Sequence, residues 1–143
     1  MVPTHDFGGG MDALYPRLLV DDFDACARFY AAALDELLGI QPVKLLPDAE
    51  YANWDYKGEC VLVLMGRARM AETVGTADLP APSGQDGSML VFRVDDVDKA
   101  AAALGALGGT VVAEPADRPE WGPGLRAAHL RDPAGNLLEL QSY

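Results

Sequence analysis

His129 and Glu139 are the two side chains whose types and spacing most readily support chemistry. They flank Asp132-Pro133-Ala134-Gly135-Asn136, a turn with a physical signature. Pro fixes φ, Gly admits φ > 0, and Asp and Asn bond their own backbone. If Arg131 pairs with Leu137 across this turn, His129 falls opposite Glu139 on one face of a hairpin. A histidine beside a carboxylate can transfer a proton, anchor a cationic ligand, join a metal site, or form a structural cross-strand hydrogen bond. Just upstream, Pro119-Glu120-Trp121-Gly122-Pro123-Gly124 sets a tryptophan beside a carboxylate. An indole face stacks on planar heteroaromatics and cations for about 0.5–2 kcal/mol. It can equally plug a lid against a partner subunit.

The elements that must hold these groups come from a sequence that repeats itself. Val20-Asp21-Asp22-Phe23-Asp24 is echoed by Val94-Asp95-Asp96-Val97-Asp98, about half the chain later. Each copy follows an apolar run and precedes an alanine-rich one. Leu14 to Val20 reads as a strand, Asp21 or Asp22 as a helix cap, and the helix runs to Leu38, where Gly39 ends it. Ile40 to Met65 has room for three strands, of which Val61 to Met65 is the clearest. The plan restarts with a strand over Met89 to Val94 and a helix capped by Asp96 and stopped at Gly108-Gly109. Three strands follow, over Thr110–Ala113, Leu125–Arg131 and Leu137–Gln141. The fold class is therefore α+β, two β-α-β-β-β modules over 13–65 and 89–143. They are expected to form a curved mixed sheet around a cavity. Residues 66–88, rich in Pro, Gly and Ser after a helical turn expected at Arg67 to Val74, form the linker.

Strand alternation sorts the faces. Leu18, Val20, Leu90, Phe92 and Val94 pack under the helices. Tyr15, Arg17 and Leu19, with Met89, Val91 and Arg93, take the opposite face. An arginine on each inner face points either to a wet concave surface or to strand ends reaching solvent. Trp54, with Tyr51 and Tyr56, either extends an aromatic wall or fills an ordinary sheet. Met89 is soft enough to suit a pocket for varied ligands.

Bulk composition narrows the classes. The net charge of −11 over 143 residues disfavours nucleic acid and anionic membrane and favours cationic partners, while also serving solubility. Cys26 and Cys60 lack CxxC spacing, so neither a disulfide framework nor a cysteine zinc site is expected. No run reaches the roughly 20 apolar residues of a membrane span. Residues 1–12, with His5 near three glycines, read as a flexible terminus without signal-peptide character, and a cytoplasmic location is expected. There is no Ser/His/Asp or Cys/His constellation and no phosphate-cradling loop, which removes hydrolase and nucleotide readings.

The chain resembles the vicinal oxygen chelate superfamily of glyoxalases, bleomycin-resistance proteins and dioxygenases. The carriers are Val20-Asp21-Asp22-Phe23 with Arg28-Phe29-Tyr30 and Leu38-Gly39, then Phe92-Arg93-Val94-Asp95-Asp96-Val97, and finally Asp132-Pro133-Ala134-Gly135-Asn136-Leu137-Leu138-Glu139-Leu140. In metal-dependent members the resemblance implies ligands seven residues before each capping Asp and a Glu on the last strand. Those places hold Tyr15, Met89 and Glu139. Only Glu139 matches, since neutral Tyr and Met are poor ligands for hard or borderline divalent ions. No metal or other cofactor is therefore expected. The resemblance then implies a homodimeric, metal-free binding protein of the bleomycin-resistance type, holding an aromatic or cationic compound such as an antibiotic. Glu139, Glu120 and Asp117 would neutralise charge, Trp121 and Trp54 would stack, and Tyr15, Arg17, Met89, Arg93 and His129 would shape the pocket. The alternatives are a lyase or dioxygenase of this superfamily, using a metal or His129 and Glu139 as acid and base, and a partner protein with no small ligand.

Overall fold

Both copies of the repeated aspartate segment do the same work. In a computed structural model describing residues 13–143, the Asp22 carboxylate accepts from the Ala25 amide at 3.1 Å and opens helix α1, Phe23–Leu38. The Asp96 carboxylate accepts from the Lys99 amide at 3.0 Å and opens α3, Val97–Ala106. Each bond satisfies a donor that the first helical turn leaves free. Gly39 ends α1 at φ 67°, a conformation that costs glycine nothing. The expected flexible segment 1–12, including His5, lies outside the described residues.

Around α1 run β1 (Arg17–Val20), β2 (Pro42–Leu46), β3 (Tyr51–Tyr56) and β4 (Glu59–Gly66). Around α3 run β5 (Met89–Arg93), β6 (Thr110–Asp117), β7 (Arg126–Arg131) and β8 (Leu137–Ser142). Helix α2, Arg67–Val74, opens the linker. β1 starts later than the apolar run suggests, because Pro16 has no amide to give a ladder; its carbonyl still accepts from the Val63 amide.

The strands form two four-stranded mixed sheets, ordered β1-β4-β3-β2 and β5-β8-β7-β6. In each, the first strand pairs in parallel with the last and the other pairings are antiparallel. This is the expected tandem pair of β-α-β-β-β modules; among the described residues no ladder joins the two sheets. The modules meet through their helices instead. Phe23, Tyr30 and Leu34 of α1 and Leu104 of α3 share one apolar cluster with Leu62, Leu64, Leu138 and Leu140. Gly109 permits this approach: a Cβ there would lie 2.9 Å from the Leu104 carbonyl oxygen and 3.4 Å from the Phe29 ring. A polar lock joins the modules as well. The Tyr30 hydroxyl donates to Asp132 at 2.5 Å, and the buried carboxylate also accepts from the Ala134 and Asn136 amides and the Asn136 side chain. Four donors surround one carboxylate, so its burial leaves no acceptor unmet.

Trp54 corrects one expectation. Its side chain is 0 % exposed and packs with Ala52 in the helix-side core, so it forms no part of a concave wall. Tyr51, one residue out of phase with Ala52, takes the other face beside Met65.

Candidate functional site

The face turned away from the helices is built row by row. In the second sheet Val91, Glu139, His129 and Ala113 lie side by side. In the first, the corresponding row is Arg17, Val63, Asn53 and Lys44. The repeat therefore sets Val63 where the second half has Glu139, and Asn53 where it has His129. The chemistry is concentrated in one module.

There the hairpin register reads as the turn sequence requires, with Arg131 opposite Leu137 and His129 opposite Glu139. His129 Nε2 lies 2.9 Å from Glu139 Oε1. The Gln141 amide donates to Glu139 Oε2 at 2.6 Å. Glu139 is only 5 % exposed, and both of its oxygens are engaged by side chains of the same sheet. Above the pair stands Trp121, 51 % exposed, with its ring centroid 5.9 Å from that of His129 at an interplanar angle of 81°. This edge-to-face contact is a favourable aromatic arrangement. Trp121, Gly122, Pro123, Leu125, Gln141 and Tyr143 line an open pocket of about 490 Å³. Its volume falls within the range of small-molecule sites, roughly 300–1,000 Å³.

The other expected residues fall into two groups. Arg17, Met89 and Arg93 are exposed on the inner faces, Arg17 at the start of β1 and Arg93 at the end of β5. Each arginine thus sits at a strand end with its side chain exposed on that face. Tyr15 is exposed in the irregular segment before β1. Asp117 is not free to neutralise a ligand, because Arg126 donates to it at 3.0 Å while also gripping Asp98 through two bonds. Gln141, Tyr143 and Arg118 escaped the sequence reading. Gln141 and Tyr143 follow Glu139 at strand alternation and could have been found by it. Arg118 carried no such signal. Its guanidinium reaches over the Trp121 ring, 5.3 Å from the centroid, only because the 118–125 loop closes with Arg118 and Leu125 bonded to each other.

A divalent metal does not fit this donor set. Among the described residues no three His, Cys, Asp or Glu side chains converge. The first module offers Val63 at the carboxylate place, and Tyr15 and Met89 stand where strong ligands would be needed. What remains is His129 with Glu139, two donors already bonded to each other.

The glyoxalase-like domain family matches residues 17–141. The chain belongs to that family. It falls within the vicinal oxygen chelate superfamily, as the repeat and the Asp132 turn lead one to expect. It is similar to the YraH protein of Bacillus subtilis (strain 168), 38% identical over 131 residues, covering 91% of this chain and 97% of that protein. Its fold is similar to a glyoxalase-related enzyme from Fulvimarina pelagi, with TM-score 0.71, 24% identity and coverage of 92% of this chain and 88% of that one. It is also similar to a lactoylglutathione lyase from Agrobacterium tumefaciens, with TM-score 0.62, 25% identity and coverage of 93% and 94%. No described helix is long and apolar enough to cross a membrane.

Proposed function

We propose that this family member binds a small aromatic compound without a metal and sequesters it unchanged. One observation carries the reading: the only carboxylate at a ligand position, Glu139, is engaged by His129 and Gln141 beneath a half-exposed indole. The Trp121 ring supplies a stacking surface, and Pro123, Leu125 and Tyr143 supply apolar walls. The net charge of −11 attracts cationic compounds, such as cationic antibiotics, to the surface at long range, but it is screened over about 8 Å at physiological salt and does not set the charge of the bound ligand. The assembly is a homodimer in this reading. Met89 at 47 % and Val91 at 49 % exposure lie beside the site, and a second copy would cover them.

The test is a titration of tryptophan fluorescence with planar aromatic compounds, comparing the protein with Trp121→Phe, followed by mass analysis of the recovered ligand. Saturable quenching that depends on Trp121, with the ligand recovered intact, is expected. Chemical conversion of the ligand would overturn sequestration. A second reading draws on the 2.9 Å His129–Glu139 contact and on the similarity to a lactoylglutathione lyase: metal-independent acid/base catalysis on a small carbonyl compound. Glu139→Gln separates the two. Sequestration predicts a modest affinity change and no turnover in either protein. Catalysis predicts turnover that this substitution abolishes.

A further inference from the structure

From the arginines stacked on the pocket's aromatic walls we infer that its ligand is a planar organic anion, an aromatic carboxylate, whose charged group meets Arg118 beside Trp121. The inference rests on the sequestration reading and fixes the ligand's charge.

The carboxylates that a cation would need are engaged. Glu139 is bonded to two donors and Asp117 is paired with Arg126, which leaves Glu120 alone on the loop. The arginines show the opposite pattern. Arg67, Arg69, Arg126 and Arg131 each pair with an acidic side chain. Among the described residues Arg17, Arg93 and Arg118 pair with no acidic side chain, nor does Arg28 on the outer helix. The first two stand on the inner faces, and Arg118 stands over Trp121.

Arg118 is the decisive group. Its Nε is buried and has no acceptor among the described residues. A buried donor without a partner is costly, and the guanidinium to which it belongs suits a two-pronged carboxylate. Stacking over the indole fixes the guanidinium where a ligand ring on Trp121 would bring its substituent. Behind the wall residue Tyr143, Arg93 stacks on the phenol ring, 3.9 Å from its centroid, with Nη2 3.4 Å from the Tyr143 main-chain oxygen. The net negative charge acts at long range and is screened over about 8 Å at physiological salt, whereas the Arg118 contact is direct.

The experiment uses the full chain in equilibrium dialysis with three matched probes: 2-naphthoate, 2-naphthylmethanol and 2-naphthylmethylammonium. We expect naphthoate to bind about tenfold or more tighter than the ammonium probe, the scale of one charge-assisted contact. In Arg118→Gln the ratio of naphthoate to naphthylmethanol affinity falls by about the same factor, and Arg118→Lys retains part of it. Using a ratio of two probes on one variant separates lost charge recognition from a disturbed loop. Tighter binding of the ammonium probe, or an unchanged ratio in Arg118→Gln, overturns the anion assignment and leaves sequestration standing. Binding of none of the three probes overturns sequestration, and the anion assignment with it.

Discussion

At the scale of single residues, Trp121 and Cys26 make opposite use of burial. Trp121 holds its indole half in solvent against the His129 edge, so its removal should cost binding and little stability. Trp121→Ala is expected to weaken an aromatic ligand by about 0.5–2 kcal/mol, roughly 2- to 30-fold, read by calorimetric titration. Cys26 is fully enclosed on the core-facing side of α1. Burial, then the charges of Asp132 and Asp22, push its thiol up to about 12. At pH 8 it should resist a thiol reagent in the native protein and react only on unfolding, whereas half-buried Cys60 reacts first. The His129–Glu139 pair was legible because turn chemistry fixes hairpin register. Trp54 was not, because an aromatic in a half-polar run fits either face, and a one-residue shift of phase exchanges core for surface.

At the scale of elements, the Asp132 turn and the linker are the two fastenings that hold the modules in position. Asp132→Ala removes four hydrogen bonds at once and strands the buried Tyr30 hydroxyl. It should lower unfolding stability by about 2–4 kcal/mol, measured by urea denaturation, against about 1–2 kcal/mol for Tyr30→Phe. The linker is tied down by Asp86, which receives two bonds from Arg131 at 2.8 and 2.9 Å. The Arg131 hydrogen bonds hold the Asp86 carboxyl below its ordinary value of 3.8. A depressed carboxyl stabilises the fold fully above the unfolded value and loses that contribution as pH falls through the folded one. Hydrogen exchange across residues 79–88 should therefore accelerate as pH drops below 3.8, after correction for intrinsic rates. Asp86→Asn should show the faster exchange already at neutral pH, and unaltered protection in that variant would argue that the tie is idle. Helices α1 and α3 were readable because their caps and apolar spacing are local signals. The strand order within each sheet was not, since pairing between distant strands leaves no pattern within either.

At the scale of the whole molecule, a duplicated module has kept one architecture and given its polar chemistry to one half. The first sheet offers Arg17, Val63 and Asn53 where the second offers Val91, Glu139 and His129. A metal held between the halves would need strong ligands from both, and only one half has any. The exposed inner faces predict a homodimer in sedimentation at micromolar concentration. A monomer would remove the second copy from the account of the site. The most direct test of the central claim is metal content. The protein is purified without chelator, its bound ions are measured, and Zn²⁺, Ni²⁺, Mn²⁺ and Fe²⁺ are titrated in turn. The account predicts no retained ion and no tight binding, with Glu139 remaining bonded to His129 and Gln141. Retention of about one ion per chain, lost in Glu139→Gln, would contradict it and make the site a metal-dependent one.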